Sequence, residues 1–154
     1  MTVRFTFLYL LPFILFGQTF EVSKSSKITY YGSHFTSDWQ GHSSGVNGII
    51  VYDAVDQTTN SCSLLVDLAT FDSGVSNRDS NMLTNVDAFQ YPDVIFVSNE
   101  ISMEGINASI KGQLTFHGIK RDINLTADIS FTDGFNAEGS FTICLLYTSP
   151  SPRD

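Results

Sequence analysis

The chain has 154 residues, with 16 Asp and Glu against 8 Lys and Arg, for a formal net charge of −8 when histidine is neutral. A surface of that sign repels phosphate backbones and anionic bilayers, which argues against nucleic-acid binding and against electrostatic docking on membranes. The length suits one domain, and two cysteines supply neither a disulfide framework nor a zinc cluster.

In chain order, residues 1–17 open with a charge at Arg4 and an apolar run from Phe5 to Phe16, followed by small and polar residues at Gly17-Gln18-Thr19. The run is too short to span a bilayer comfortably and reads as a secretory signal peptide, so no membrane span is expected after its cleavage. Residues 18–143 then form one domain of short β-rich runs separated by Gly, Asn, Asp and Ser. The expected strands are Lys27–Tyr31, Gly48–Tyr52, Cys62–Ala69, Val94–Ser98, Ile106–Phe116, Asp122–Phe131 and Phe135–Ile143. Cys62 falls on the third of these as a small buried hydrophobe, and no native disulfide is expected. A long polar connection follows it, and Ser80–Ala88 reads as a short helix with Ser80 as N-cap and Met82, Leu83, Val86 and Phe89 turned inward. Tyr91-Pro92 re-extends the chain, because the residue before proline avoids the helical region.

Gly105 to Phe131 is the most informative stretch. Ile106, Ala108, Ile110, Leu114 and Phe116 share one parity, and after a break at His117–Arg121 so do Ile123, Leu125, Ala127, Ile129 and Phe131. Alternation with period two over two successive runs means two half-buried antiparallel strands. Thr132-Asp133-Gly134 adds a turn signal before the last run. The fold class is therefore all-β and antiparallel, a sandwich or barrel with one short helix in a long connection. Residues 144–154, Cys144 to Asp154, match residue for residue the translation of a transposase-type library adapter. They read as a non-native tail on a domain cut short at its C-terminal end. Such a fragment would expose sheet edges and be poorly soluble.

Four blocks in order, Phe71-Asp72-Ser73-Gly74, Asn77-Arg78-Asp79-Ser80, Tyr91-Pro92-Asp93-Val94-Ile95-Phe96-Val97-Ser98 and Gly112-Gln113-Leu114-Thr115-Phe116-His117-Gly118-Ile119-Lys120, resemble the YceI-like family. The segment His34–Gly41 is similar to that family's variant with a Trp-containing loop. The resemblance covers Lys27 to Ile143 and implies an exported polyisoprenoid- or lipid-binding protein of the bacterial envelope, periplasmic or secreted. It also implies a lipocalin-like barrel, here incomplete because the closing strands are absent.

The residues expected to line an apolar interior are Val66, Leu68, Phe96, Ile110, Leu114, Phe116, Leu125, Ile129 and Phe131. That interior is either a packed core or a cavity for a greasy ligand. Arg78 is the candidate head-group contact through its forked guanidinium, set against a plainer role for Arg78-Asp79 in organising the long connection. His34, Asp38 and His42 form a loose cluster whose spacing is irregular for zinc. His117 has no coordinating partner nearby in sequence. No nucleophile elbow, phosphate loop or paired acid and base emerges. Neither catalytic residues nor cofactor nor metal are expected, and the partner is an isoprenoid or other lipid-like molecule, with a homodimer left open. The glycosylation-type triplets at Asn107 and Asn124 lie within strands and read as chance. Two alternatives stand beside the carrier: an envelope interaction module with a filled core, and a metal-dependent enzyme using the His34 region.

Overall fold

The computed structural model describes residues 18–142 except 36, 54–57 and 133, and of residues 34 and 58–60 only the backbone. The expected signal peptide and tail lie outside the described residues. In order come β1 (Gln18–Glu21), β2 (Ile28–His34), β3 (Ser37–Ser43), β4 (Val46–Asp53) and β5 (Thr58–Asp67). A 3-10 turn (Leu68–Thr70) and α1 (Ser76–Asn85) follow, then β6 (Asp93–Glu104), β7 (Asn107–Phe116), β8 (Ile119–Ser130) and β9 (Asn136–Ser140). Seven strands make one curled antiparallel sheet in the order β1-β4-β5-β6-β7-β8-β9, a half-barrel, while β2 and β3 form a separate hairpin.

The alternation in β7 and β8 produces an uninterrupted ladder from Phe116↔Ile119 to Asn107↔Asp128. The expected five-residue break shrinks to His117-Gly118, because Ile119 and Arg121 already belong to the strand. Both turn residues have positive φ, 51° and 72°, the left-handed pair that two-residue hairpins require to match strand twist. Tyr91 lies edge-on to His117 with ring centroids 5.1 Å apart, and a Cβ on Gly118 would come within 2.5 Å of the Tyr91 ring. Ile106, expected to open the strand on its apolar parity, sits instead in the β6–β7 turn and is 65% exposed.

β6 is longer than expected. Sequence alternation stops at Ser98, but the strand continues through a register shift between Val97 and Glu100. The hydroxyl of Ser98, 2% exposed, donates to the carbonyl of Lys111 at 2.5 Å and accepts from the amide of Glu100 at 3.3 Å, which holds the bulge. The extra residue reverses parity, so Ile101 and Met103 join the face already occupied by Val94 and Phe96.

The helix starts four residues before the expected N-cap. Val75 occupies the cap position without a side-chain bond. The turn before it is held by Asp72, which accepts from the amide of Gly74 at 2.6 Å, and by Asp79, which reaches back to the amide of Ser73 at 3.1 Å. Met82, Leu83 and Val86 do face the core. Phe89 does not: the helix ends at Asn85, Asp87 turns the chain with φ 49°, and the Phe89 ring is fully exposed.

Two strands escaped the sequence reading. β1 lies beside the expected cleavage point, and the polar run of β3 shows no apolar alternation. The hairpin is tied to the rest by the His42↔Asp72 bridge and by a hydrogen-bond chain. The Gly45 amide donates to Ser43 Oγ (2.9 Å), Ser43 pairs with Thr70 Oγ1 (2.5 Å), and Thr70 donates to the Asp67 carbonyl (2.6 Å). Such a chain polarises along its length.

His117→Val is expected to destabilise the fold by about 1–2 kcal/mol, since a β-branched residue resists the left-handed region, whereas His117→Gly should be neutral or stabilising. Ser98→Ala should cost about 1–3 kcal/mol by stranding the bulge's polar groups. Urea unfolding of the three variants checks both expectations.

Candidate functional site

Residues directly opposed in a ladder project to the same face, so register identifies the concave surface. Val46↔Val66, Ile50↔Cys62, Leu64↔Phe96, Phe96↔Leu114, Ile101↔Ile110 and Ile110↔Leu125 all belong to it. Of the expected lining residues, Val66, Phe96, Ile110, Leu114, Phe116, Leu125 and Ile129 lie on it by register, in different circumstances. Leu68, Phe96, Leu114 and Phe116 join Cys62 and Val86 in one cluster, closed from outside the sheet by Met82 and Leu83 of α1. Leu68 lies in the 3-10 turn rather than on a strand. Ile129 belongs to a second cluster with Ala108 and Ala127. Ile101 and Ile110 touch both clusters. Val66 is buried beside Val46.

Around the first cluster the face stays within reach of water: Ile50, Leu64, Ile101, Ile110, Ile123 and Leu125 are only half-buried. Gly112 lets the Phe96 ring cross the strand, since a Cβ there would lie 2.5 Å from Phe96 Cζ. A hollow of about 280 Å³ contains none of the expected lining residues. It runs along the polar β8–β9 edge between Thr126–Asp128 and Glu138–Ser140.

Phe131 lies just past β8 and is 52% exposed. It is one of four aromatic residues that bring the two edges of the sheet together. Phe20 of β1 stacks on Phe135, which leads into β9, at 5.3 Å and 23°. Tyr52 packs against Phe131 at 5.2 Å and against Phe135 at 5.9 Å. Sequence reasoning missed this clasp, because nothing local pairs Phe20 with Phe135.

Arg78 is half-buried on α1 and acts on Tyr30 of the hairpin. Burial, then the charge of Asp79, raises the Tyr30 phenol above its ordinary value, while Arg78 and nearby Ser73 pull it back. Tyr30 Oη and Ser73 Oγ are both buried and close, yet their geometry falls short of a hydrogen bond. Tyr30 also packs edge-on against Phe71 at 5.5 Å. Arg78 therefore belongs to the seam between hairpin and helix, apart from the half-buried apolar floor.

Asp38 and His42 are exposed on β3, four residues and so about 13 Å apart along the strand. The side chain of His34 lies outside the described residues. Among the described residues no three His, Cys, Asp or Glu side chains come together as a metal site would need.

A YceI-like domain model matches residues 21–145. The chain is 28% identical to a UPF0312 protein of Pseudomonas fluorescens, covering 73% of this chain and 62% of the relative. It is 25% identical to a UPF0312 protein of Photorhabdus laumondii, covering 63% and 56%. The chain thus spans roughly three fifths of the length of these relatives. Among solved structures it is similar in fold to Burkholderia cenocepacia BcnA, with TM-score 0.63, 20% identity and 71% of each chain covered. No helix among the described residues is long and apolar enough to cross a membrane.

Leu114→Ala should cost about 2–5 kcal/mol in urea unfolding, the range for a cavity in a packed cluster. Burial pushes the Cys62 thiol up, offset in part by a hydrogen bond with the Ser98 backbone. Its folded pKa then exceeds its unfolded one, so its contribution to stability is whole below about pH 8.5 and declines as pH rises. At pH 8, alkylation of the Cys62 peptide should be on the order of tenfold slower in native than in urea-unfolded protein, as mass spectrometry will show.

Proposed function

Because the chain belongs to the YceI-like family, we propose that it is an exported carrier holding a long apolar molecule, a polyisoprenoid or similar lipid, without transforming it. One observation carries the reading: the half-buried stretch around Ile101, Ile110, Ile123 and Leu125 on the concave face, continuous with two packed clusters. A chain laid over that surface leaves water, at about 25 cal/mol per Å². Covering some 300 Å² of tail is then worth about 7 kcal/mol gross, before the cost of ordering. Holding such a guest needs no acid–base pair and no metal. The apolar run in residues 1–17 supports export to the periplasm or beyond. Arg78 remains a head-group contact only for a ligand that reaches the hairpin seam.

A second reading is a non-enzymatic envelope module with a filled core. It is favoured by the burial of Phe96, Leu114 and Phe116 with α1 packed over them.

Delipidated protein is expected to bind farnesol stoichiometrically. Leu125→Asp should weaken that binding at least tenfold, about 1.4 kcal/mol, while Thr126→Asp on the opposite face leaves it unchanged. Equal binding by the two variants, measured by calorimetry, would move the ligand off this surface; no binding at all would favour the filled-core module.

A further inference from the structure

Register assigns a face to each residue of the large sheet, and one inward position breaks the apolar rule. Arg121 lies directly opposite Leu114, which is 3% exposed and inward. Its neighbours on the same face of β8 are Ile119 and Ile123, the latter opposite Gly112. Among the described strands of this sheet Arg121 is the only charged residue on the concave side. Asp93, Lys111, Asp122, Asp128 and Glu138 all take the opposite parity.

Its place along the strand matters as much as its face. β9 pairs with β8 only over Thr126–Ser130, so Arg121 stands on the part of β8 with no further strand beside it among the described residues. It is exposed there, where the apolar floor meets water. The planar fork of a guanidinium fits a carboxylate or phosphate through two parallel hydrogen bonds. Beside apolar walls that attraction is stronger than in open water. An apolar tail on Ile110, Ile123 and Leu125 would bring a head group to the rim of the same strand.

We propose that Arg121 makes the concave face selective for amphiphiles with an anionic head, a carboxylate or a phosphate, on a long apolar tail. The inference rests on the carrier reading and adds the ligand's charge to it.

The test is calorimetric titration of the full chain with dodecanoate, dodecyl phosphate and dodecanol, repeated on Arg121→Gln, Arg121→Lys and Arg78→Gln. Wild type should bind at least one anion about tenfold more tightly than the alcohol, and which anion gains more separates carboxylate from phosphate heads. Arg121→Gln should abolish the preference with dodecanol affinity unchanged, while Arg121→Lys and Arg78→Gln retain it. Equal affinity of wild type for all three probes overturns the role of Arg121 and leaves the carrier standing. Persistence of the preference in Arg121→Gln, or its loss in Arg78→Gln, also overturns it. Failure of all three probes to bind removes the carrier reading along with it.

Discussion

The constraint on which everything else depends is that an antiparallel sheet with one apolar face must hide that face and also protect its two edge strands. In a closed barrel, wrapping does both at once. Here the described sheet curls only part of the way, from β1 at one edge to β9 at the other, and different devices share the task. The helix α1 covers one end of the concave face with Met82, Leu83 and its C-cap Val86. Small residues tighten the other, where Ala108 faces Ala127 across the β7–β8 ladder. The floor between them is left half-covered.

That division bears on function. A face plugged along its whole length would be an ordinary core, and a face open along its whole length would be a site of aggregation. The observed arrangement has a rigid base, set by Phe96, Leu114 and Phe116, and a strip of accessible isoleucine and leucine beside it. The bulge at Ser98 is what keeps that strip continuous. Without the parity change, Ile101 and Met103 would project away from Ile110 and Ala108, and the floor would lose one of its strands.

How much of this was legible in the sequence varied with how local the signal was. The β7–β8 hairpin is plain in the sequence, because alternation runs through Ile110 and Leu114 on one strand and through Leu125 and Ile129 on the next. The antiparallel fold class and the helix in the long connection followed from the same kind of pattern. Strand β6 was cut short because a bulge destroys the period that identifies a strand. The start of α1 escapes a capping signal because Val75, no standard N-cap residue, holds the cap position while Asp72 and Asp79 fix the turn before it. A helical period extended to Phe89 turns that ring inward, but the helix ends at Asn85 and Asp87 redirects the chain. Strand β3 carries too little apolar alternation to announce itself, which hid its pairing with β2. For the candidate site, the apolar lining could be read from parity. The difference between the plugged residues and the half-open ones could not, since it depends on where α1 docks. Nor could the singularity of Arg121, which appears only when every strand has been put in register.

The aromatic clasp has a kinetic implication. Phe20 and Phe135 stand at nearly opposite ends of the described chain, so their stacking closes a loop that includes almost every other element. Loops of that length are entropically slow to close, and non-local pairings of this kind retard folding relative to short-range ones. The hairpins would form first and the seam last, leaving the greasy concavity agape during the final stage of assembly.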